Sequence, residues 1–505
     1  MGFTTDWLAR RARLSGRALA LVDVATGAEL RYADWNLRVN QTARWLEDEA
    51  SVRRGDAVAV LAENSTLFLD VWFACQKLGA VLQPLNWRLP ASVLADMLGR
   101  TSPRLLLFDD GHRETALAVP GGRGSKACLA DLEQGRRSFD GEDRPPRAEL
   151  RDPWIYCSTG GTTGSPKLAV LSHENVAWNA AGTAASWGLG PQHRALLNAP
   201  LFHTGGLNVF TAPLVWAGGA SHVAARFDVD QVFDLVDAGK LTHFFGVPTM
   251  FIALQAHPRF ETVEWSRIEL VISGGAPCPG PVFDRFWAKN VAFKTGYGLT
   301  EAGPNNFWLP DEELQTKPGA VGYPLLHVET RVVDEAGREV EPGISGELEL
   351  RGPHVISGYF EDPAATRAAL RPEGWLRTGD LALCDADGSH RIVGRKKDMY
   401  ISGGENVYPA EIESVLHGHP GVTAAAVIGV PDARWGEVGR AFLVLRSSVD
   451  ADEVRAWLEP QLASYQRPRN YVVLDALPTT GAGKVDKAGL AALQGEGGPT
   501  NKAPA

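Results

Sequence analysis

The 505-residue sequence predicts an α/β protein: a large N-terminal domain of stacked mixed sheets with helices plus a small β subdomain, and a small C-terminal α+β domain. Three observations lead there. Short buried-strand runs alternate with helix-spaced apolar segments as far as Thr295. Beyond Gly319 the β runs are short and separated by turn-rich stretches. After Asp398 a fresh rhythm of helix, strand, strand, helix and strand begins. A chain of this length is also too long for one compact core.

The run Ala57–Leu61 (AVAVL) reads as a buried strand, followed by Asn64-Ser65 and a helix over 67–78 with apolar residues at helical spacing. The unit repeats as a strand over 79–85, a helix over 90–99 and a strand over Leu105–Phe108. Such alternation builds parallel sheets with covering helices. Residues 121–147 are polar and charged and carry the adjacent Pro145 and Pro146, which predicts a surface excursion. Further strands are predicted over 194–198, 222–224, 242–245, Leu270–Ser273 and Ala292–Thr295. Glu329–Val333 and residues 347–351, split by the turn-rich 334–346, predict the small, more antiparallel subdomain. The last domain is expected as helix 409–417, strands 424–429 and 441–446, helix 450–463 and strand 471–474. The domain bounds are then 1–394, a boundary at 395–398, and 399–493, with a disordered Gly/Pro-rich tail over 494–505.

A formal net charge of -10 argues against non-specific nucleic-acid binding, which needs clustered Lys and Arg. The five cysteines are scattered, with no C-x-x-C pair, so neither a disulfide framework nor a thiolate metal site is indicated. No signal-peptide core opens the chain, and no window approaches eighteen uncharged apolar residues, so no integral membrane segment is expected. The chain reads as cytoplasmic.

One segment decides the chemical class. Ser158, Thr159, Gly160, Gly161, Thr162, Thr163, Gly164, Ser165, Pro166 and Lys167 follow the apolar run 154–157 and precede another at 168–171. Glycines let successive backbone N–H groups converge on an anion, the hydroxyls add donors and Lys167 adds a cation. A nest of donors with one charge suits a triphosphate. It is not a Walker A loop, because Ser165-Pro166 intervenes before Lys167 and Leu168 follows it.

With Tyr297-Gly298-Leu299-Thr300-Glu301, Thr378-Gly379-Asp380, Gly394-Arg395-Lys396-Lys397-Asp398 and Gly483-Lys484 in the same order downstream, the chain resembles the adenylate-forming superfamily. Its members include acyl- and aryl-CoA synthetases, peptide-synthetase adenylation domains and luciferases. The resemblance spans roughly Tyr32 to Lys484. It implies that ATP is held by the Ser158–Lys167 loop, that Gly274, Gly275, Ala276 and Pro277 wall the adenine, and that Tyr297 and Gly298 lie beside it. Thr300 then binds the α-phosphate, Glu301 ligates Mg²⁺, and Asp380 accepts both ribose hydroxyls with Arg395 alongside. A lone carboxylate sharing Mg²⁺ with nucleotide phosphates fits that ion's chemistry. Lys484 is implied as the catalytic lysine of adenylation, although Thr479-Thr480-Gly481-Ala482-Gly483-Lys484 departs from the family's usual Arg-Thr-Pro-Thr-Gly-Lys. Lys397 takes the hinge position about which the small, mobile C-terminal domain rotates between half-reactions.

Where amino-acid adenylating domains carry an aspartate, this chain has His203, and no acid lies between Asn198 and Thr211. His203 resembles the histidine of acyl- and aryl-CoA synthetases that lies beside the substrate carboxylate. CoA contacts are implied for Ser402, Gly403, Gly404, Trp435, Tyr465 and Arg467. The acyl pocket is drawn from Trp178, His203, Thr204, Gly205, Asn208, Phe251 and Asn305. None of the pocket-forming segments (203–208, 247–251, 273–275 and 296–306) contains Lys or Arg, which disfavours dicarboxylates, because a buried second carboxylate needs a cation. The expectation is therefore an AMP-forming acyl-CoA synthetase working on a small-molecule monocarboxylic acid, as a monomer or homodimer, with a slight preference for medium or long fatty acids. An aryl-CoA ligase stays open, since Asn305 and Asn306 could bond a ring substituent. So does an adenylating enzyme that loads a carrier-protein thiol, whereas a catalytically silent nucleotide sensor or scaffold would be favoured only if Lys484, Glu301 or Asp380 were missing, and all three are present.

Overall fold

The computed structural model describes residues 4–120, 124–159, 166–446, 449–480 and 485–493, with the backbone of 501–502. Two mixed sheets form the large domain. The first runs Ser125–Cys128, Leu105–Phe108, Ala57–Leu61, Val81–Pro84, Pro153–Thr159 and Lys167–Ser172, all parallel except the last. The second runs Ala292–Thr295, Leu270–Ser273, His243–Gly246, Arg194–Leu197, Ala220–Val223 and Leu19–Asp23, again parallel, with Glu29–Arg31 antiparallel at its edge.

The helix Thr66–Leu78 is buried at every residue from Phe68 to Leu78, as expected of a helix covered on all sides. Its aromatic residues meet others from the N-terminal segment and first sheet: Trp72 stacks on Trp154 at 5.0 Å, and Trp7 meets Trp154 edge-on at 5.4 Å. Asp70 survives in this core because Arg38 and the Trp35 indole N–H both donate to it. The two sheets are tied at their carboxyl edges by Asn64. Its amide donates to Ala199 O (2.9 Å) and Ala224 O (3.3 Å), and its oxygen accepts from Leu201 N (2.8 Å). Active sites of open α/β sheets form at such edges.

The small subdomain is a four-stranded antiparallel sheet of Glu329–Val333, Gly346–Arg351, Leu376–Cys384 and His390–Arg395. The C-terminal domain is built on the hairpin Val422–Asp432 and Gly436–Leu445, with a second hairpin Tyr400–Ser402/Glu405–Val407 and helices Pro409–Leu416 and Ala451–Leu458. No helix of the described residues is long and apolar enough to cross a membrane.

Two expectations need correction. Residues 121–147 contain the strand Ser125–Cys128 and the helix Leu129–Gly135, although only Cys128, Leu129 and Leu132 of these two elements are buried. An outer strand with one buried side chain carries almost no apolar signal. In the tail, Asn501–Lys502 pairs antiparallel with Asn470–Val473; residues 494–500 and 503–505 lie outside the described residues.

Candidate active site

The described ends of the glycine-rich segment are Ser158 and Thr159, closing the strand Pro153–Thr159, and Lys167, opening the next. Thr159 pairs with Lys167 in antiparallel register. Gly160, Gly161, Thr162, Thr163 and Gly164 lie outside the described residues, as does Lys484.

Across from this hairpin, three sequence-predicted residues meet, two of them converging on the carboxylate of the third. Tyr297 Oη donates to Asp380 Oδ2 at 2.7 Å and Arg395 Nε donates to Asp380 Oδ1 at 2.8 Å. Asp380 is aimed there by a bulge. Glu347 pairs with Leu381 and Glu349 with Arg377, so Thr378, Gly379 and Asp380 together oppose the single Leu348, whose carbonyl accepts from Thr378 Oγ1 at 2.7 Å. Arg395 stands directly opposite Asp380 on the neighbouring strand. Burial, and then the Asp380 charge, push the Tyr297 hydroxyl well above its usual range, which keeps it a donor.

Thr300 and Glu301 lie in the single turn Thr300–Ala302. Glu301 Oε1 accepts from the Tyr359 hydroxyl at 2.7 Å, and Glu301 O accepts from Ile356 N at 2.9 Å. Gly298 packs so closely on the Pro304 backbone that a Cβ there would sit 2.2 Å from it. Cys157, in the strand leading to Ser158, is near enough to feel Glu301: burial first and that carboxylate second push its thiol up to about 12.

On the acid side, His203 caps the short helix Thr204–Asn208, its ring 4.6 Å from that of Phe202. Phe245, at the carboxyl end of a central strand of the second sheet, presses its ring between two glycines. A Cβ at Gly205 would meet it at 3.2 Å and one at Gly274 at 3.1 Å. Gly205, Gly206, Phe210 and Phe245 line a narrow apolar cleft of about 10 Å³, room for no more than one water. The Gly274–Pro277 segment follows the strand Leu270–Ser273, with Gly275 to Pro277 exposed.

Two residues expected at the pocket, Phe251 and Asn305, are engaged in the packing instead. Phe251 is 0% exposed, T-packed against Phe244 and Phe293 in the core, because its helix turns Met250 and Thr249 toward the open cavity instead. Asn305 spends its amide N–H groups on Thr183 Oγ1 (3.0 Å) and Val209 O (3.0 Å), so it braces helices and is not a donor for a ring substituent. Trp178 stacks on His327 at 6.1 Å. Asn208 donates to Thr204 Oγ1 at 3.0 Å.

In the C-terminal domain, Gly403 (φ +61°) and Gly404 (φ +89°) turn the hairpin between Ser402 and Glu405. A Cβ on Gly403 would lie 2.7 Å from the Trp435 ring, so glycine is required by both backbone and contact. Arg434 and Arg469 flank that indole at 5.2 and 5.6 Å. Tyr465 packs against the domain core, and Arg467 Nε donates to Leu462 O. Lys397 is exposed in the turn between His390–Arg395 and Tyr400–Ser402.

Sequence reasoning missed a cavity of about 400 Å³ at the carboxyl edges of both sheets, lined by Asn64, Trp87, Arg88, Asn198, Arg226 and Met250 among others. The Arg88 guanidinium stands 4.8 Å over Trp87 and 5.7 Å over Phe202, and no carboxylate pairs with it among the described residues. Arg226 is held by Glu63. The grouping joins five separated segments, which no spacing along the chain reveals. A second cluster, His193, His243 and Glu269, has metal-ligand composition and lies at the opposite, amino edge of the second sheet. There Gly190 N–H donates to His193 Nδ1, which fixes the imidazole proton on Nε2, 3.2 Å from Glu269. That is a hydrogen-bonded pair and not a lone pair offered to a metal.

The profile of the AMP-binding enzyme family matches residues 8–360, and that of the AMP-binding enzyme C-terminal domain matches residues 411–484. The chain belongs to the AMP-binding enzyme family. As such it is an AMP-forming acid–thiol ligase of the acyl- and aryl-CoA synthetase type. A feruloyl-CoA synthase of an Amycolatopsis species is 40% identical over 486 residues, covering 95% of this chain and 97% of the relative. An indoleacetate–CoA ligase of Aromatoleum aromaticum is 35% identical over 506 residues, covering 96% of both. The ATP-bound structure of MatB from Rhodopseudomonas palustris, 31% identical, superposes with a TM-score of 0.90 over 98% of this chain and 99% of that one. The family member therefore shares that large and small domain architecture throughout.

Proposed function

We propose that the chain activates an aromatic or arylalkyl monocarboxylic acid as its acyl-adenylate and passes the acyl group to the thiol of CoA. The observation that carries the nucleotide chemistry is the convergence of Tyr297 and Arg395 on Asp380. Asp380 then receives the ribose hydroxyls, Tyr297 and Gly274–Pro277 flank the adenine, and Thr300 with the Ser158–Lys167 loop binds the phosphates. The carboxylate of the acid attacks the α-phosphorus and the bond to pyrophosphate breaks. Lys484 stabilises the negative charge that grows on the bridging oxygen. His203 sits beside the reacting carboxylate. The thiol then attacks the acyl carbon and AMP leaves, after rotation about Lys397 brings Ser402–Gly404 and Trp435 toward the cleft.

Mg²⁺ fits the donor set: Glu301 offers one hard oxygen site, with no carboxylate cage among the described residues, as suits an ion shared with phosphates. When bound it would neutralise the phosphates and orient them.

An aromatic acid is favoured over the fatty acid expected from sequence. The relatives above are named for feruloyl and indoleacetate groups, and the Phe245 ring between Gly205 and Gly274 offers a flat wall. Free CoA is favoured over a carrier protein by Arg88, a guanidinium without a carboxylate partner among the described residues that suits the phosphates of CoA's nucleotide end. Pyrophosphate release over substituted cinnamates, arylacetates, fatty acids of graded length and dicarboxylates tests the assignment. Highest kcat/KM on a cinnamate or arylacetate is the expected result. A preference for long chains overturns the aromatic reading, and a preference for dicarboxylates would make Arg88 the seat of the second carboxylate.

A further inference from the structure

The segment that follows the strand Gly346–Arg351 returns to the first sheet and lies along its outer strand Lys167–Ser172. Val170 N donates to Gly358 O (3.1 Å), Phe360 N donates to Leu168 O (2.8 Å), and Tyr359 bridges Ala169. The backbone of Tyr359 is pinned on its other side, its N–H donating to Thr366 Oγ1 at 2.9 Å. Held in this way, the side chain reaches two groups of the phosphate site at once. Its hydroxyl donates to Glu301 Oε1 at 2.7 Å, and the Lys167 ammonium stands 5.1 Å from its ring centroid. Ile356, three residues earlier, donates its N–H to Glu301 O. One short segment therefore grips both the backbone and the carboxylate of Glu301 while seating Lys167.

We propose that Tyr359 is the positioning residue of the triphosphate site, fixing the Glu301 carboxylate for Mg²⁺ and Lys167 for the phosphates through one phenol. The proposal rests on the nucleotide-binding reading above. A carboxylate held by one oxygen presents the other in a single orientation, and partners of this kind typically set metal affinity by about 10–100-fold. The ring–ammonium contact adds a smaller bias on an exposed lysine.

The test is equilibrium binding of α,β-methylene-ATP by calorimetry at graded Mg²⁺, with thermal melting as a folding control. In Tyr359→Phe the ring and its Lys167 contact stay, and the Mg²⁺ concentration giving half-maximal binding should rise about tenfold. Tyr359→Ala should in addition weaken the analogue several-fold at saturating Mg²⁺. In a Glu301→Gln background, Tyr359→Phe should add no further shift, because the hydroxyl acts through that carboxylate. A Tyr359→Phe midpoint within about twofold of wild type, or an equal shift in both backgrounds, overturns the proposal. If Tyr359→Phe fails to fold, Thr366→Val, which frees the backbone of Tyr359, should shift the midpoint in the same direction, and no shift there also overturns it. If the wild-type protein shows no Mg²⁺-dependent binding, the nucleotide reading fails instead.

Discussion

On the nucleotide side of the cleft, Tyr297, Arg395 and Tyr359 grip Asp380 and Glu301 through hydrogen bonds of 2.7–2.8 Å to charged carboxylates. On the acid side the walls are rings and glycines, Phe245 against Gly205 and Gly274, with Asn305 turned away into a brace. A charged hydrogen bond admits few residue types at a fixed geometry, whereas an apolar wall tolerates many. The first side is therefore expected to be intolerant of substitution and indifferent to the acid. The second is expected to change which acid is used while leaving ATP handling intact.

The largest effect is expected at Lys484, the residue proposed to meet the developing charge. Lys484→Ala should lower adenylation by about 10²–10³-fold, while thioester formation from supplied acyl-AMP stays near wild type; equal loss in both half-reactions would contradict its role. Asp380→Ala leaves Tyr297 and Arg395 without their partner, and should cost on the order of 100-fold in kcat/KM for ATP. The same loss for every acid tested is the mark of the nucleotide side. Arg88→Ala should raise KM for CoA about tenfold and leave CoA-independent pyrophosphate release unchanged; an effect on that release instead would move Arg88 to the acid. Phe245→Ala should have the smallest effect on rate. It should shift the ratio of kcat/KM between an aromatic and a straight-chain acid several-fold towards the chain, with KM for ATP unaltered.

The same contrast governs what the sequence alone revealed. Ala57–Leu61, Leu105–Phe108 and Leu270–Ser273 were legible to the residue, because strands buried on both faces are near-continuous apolar runs. Ser125–Cys128 was not, lying at a sheet edge with one buried side chain. Leu376–Cys384 was read only as a motif, since the bulge at Thr378-Gly379-Asp380 breaks the alternation that marks a strand. In the site, Tyr297, Asp380 and Arg395 were found by ordered motifs and the structure brings them together. Phe245, Arg88 and Tyr359 were missed. Phe245 hides in an ordinary strand, Arg88 meets its cavity only when five separated segments fold together, and Tyr359 reaches Glu301 across 58 positions of chain. Phe251 was wrongly assigned because helical periodicity gives a face, and only packing says which neighbour on it looks outward.

The central claim is attack of a carboxylate oxygen on the α-phosphorus of ATP. It is tested most directly by turning over the preferred acid, labelled with ¹⁸O in its carboxylate, with ATP and CoA, and weighing the AMP released. One ¹⁸O atom transferred into each AMP is the predicted result. Unlabelled AMP, or ADP and phosphate as the products, would contradict it.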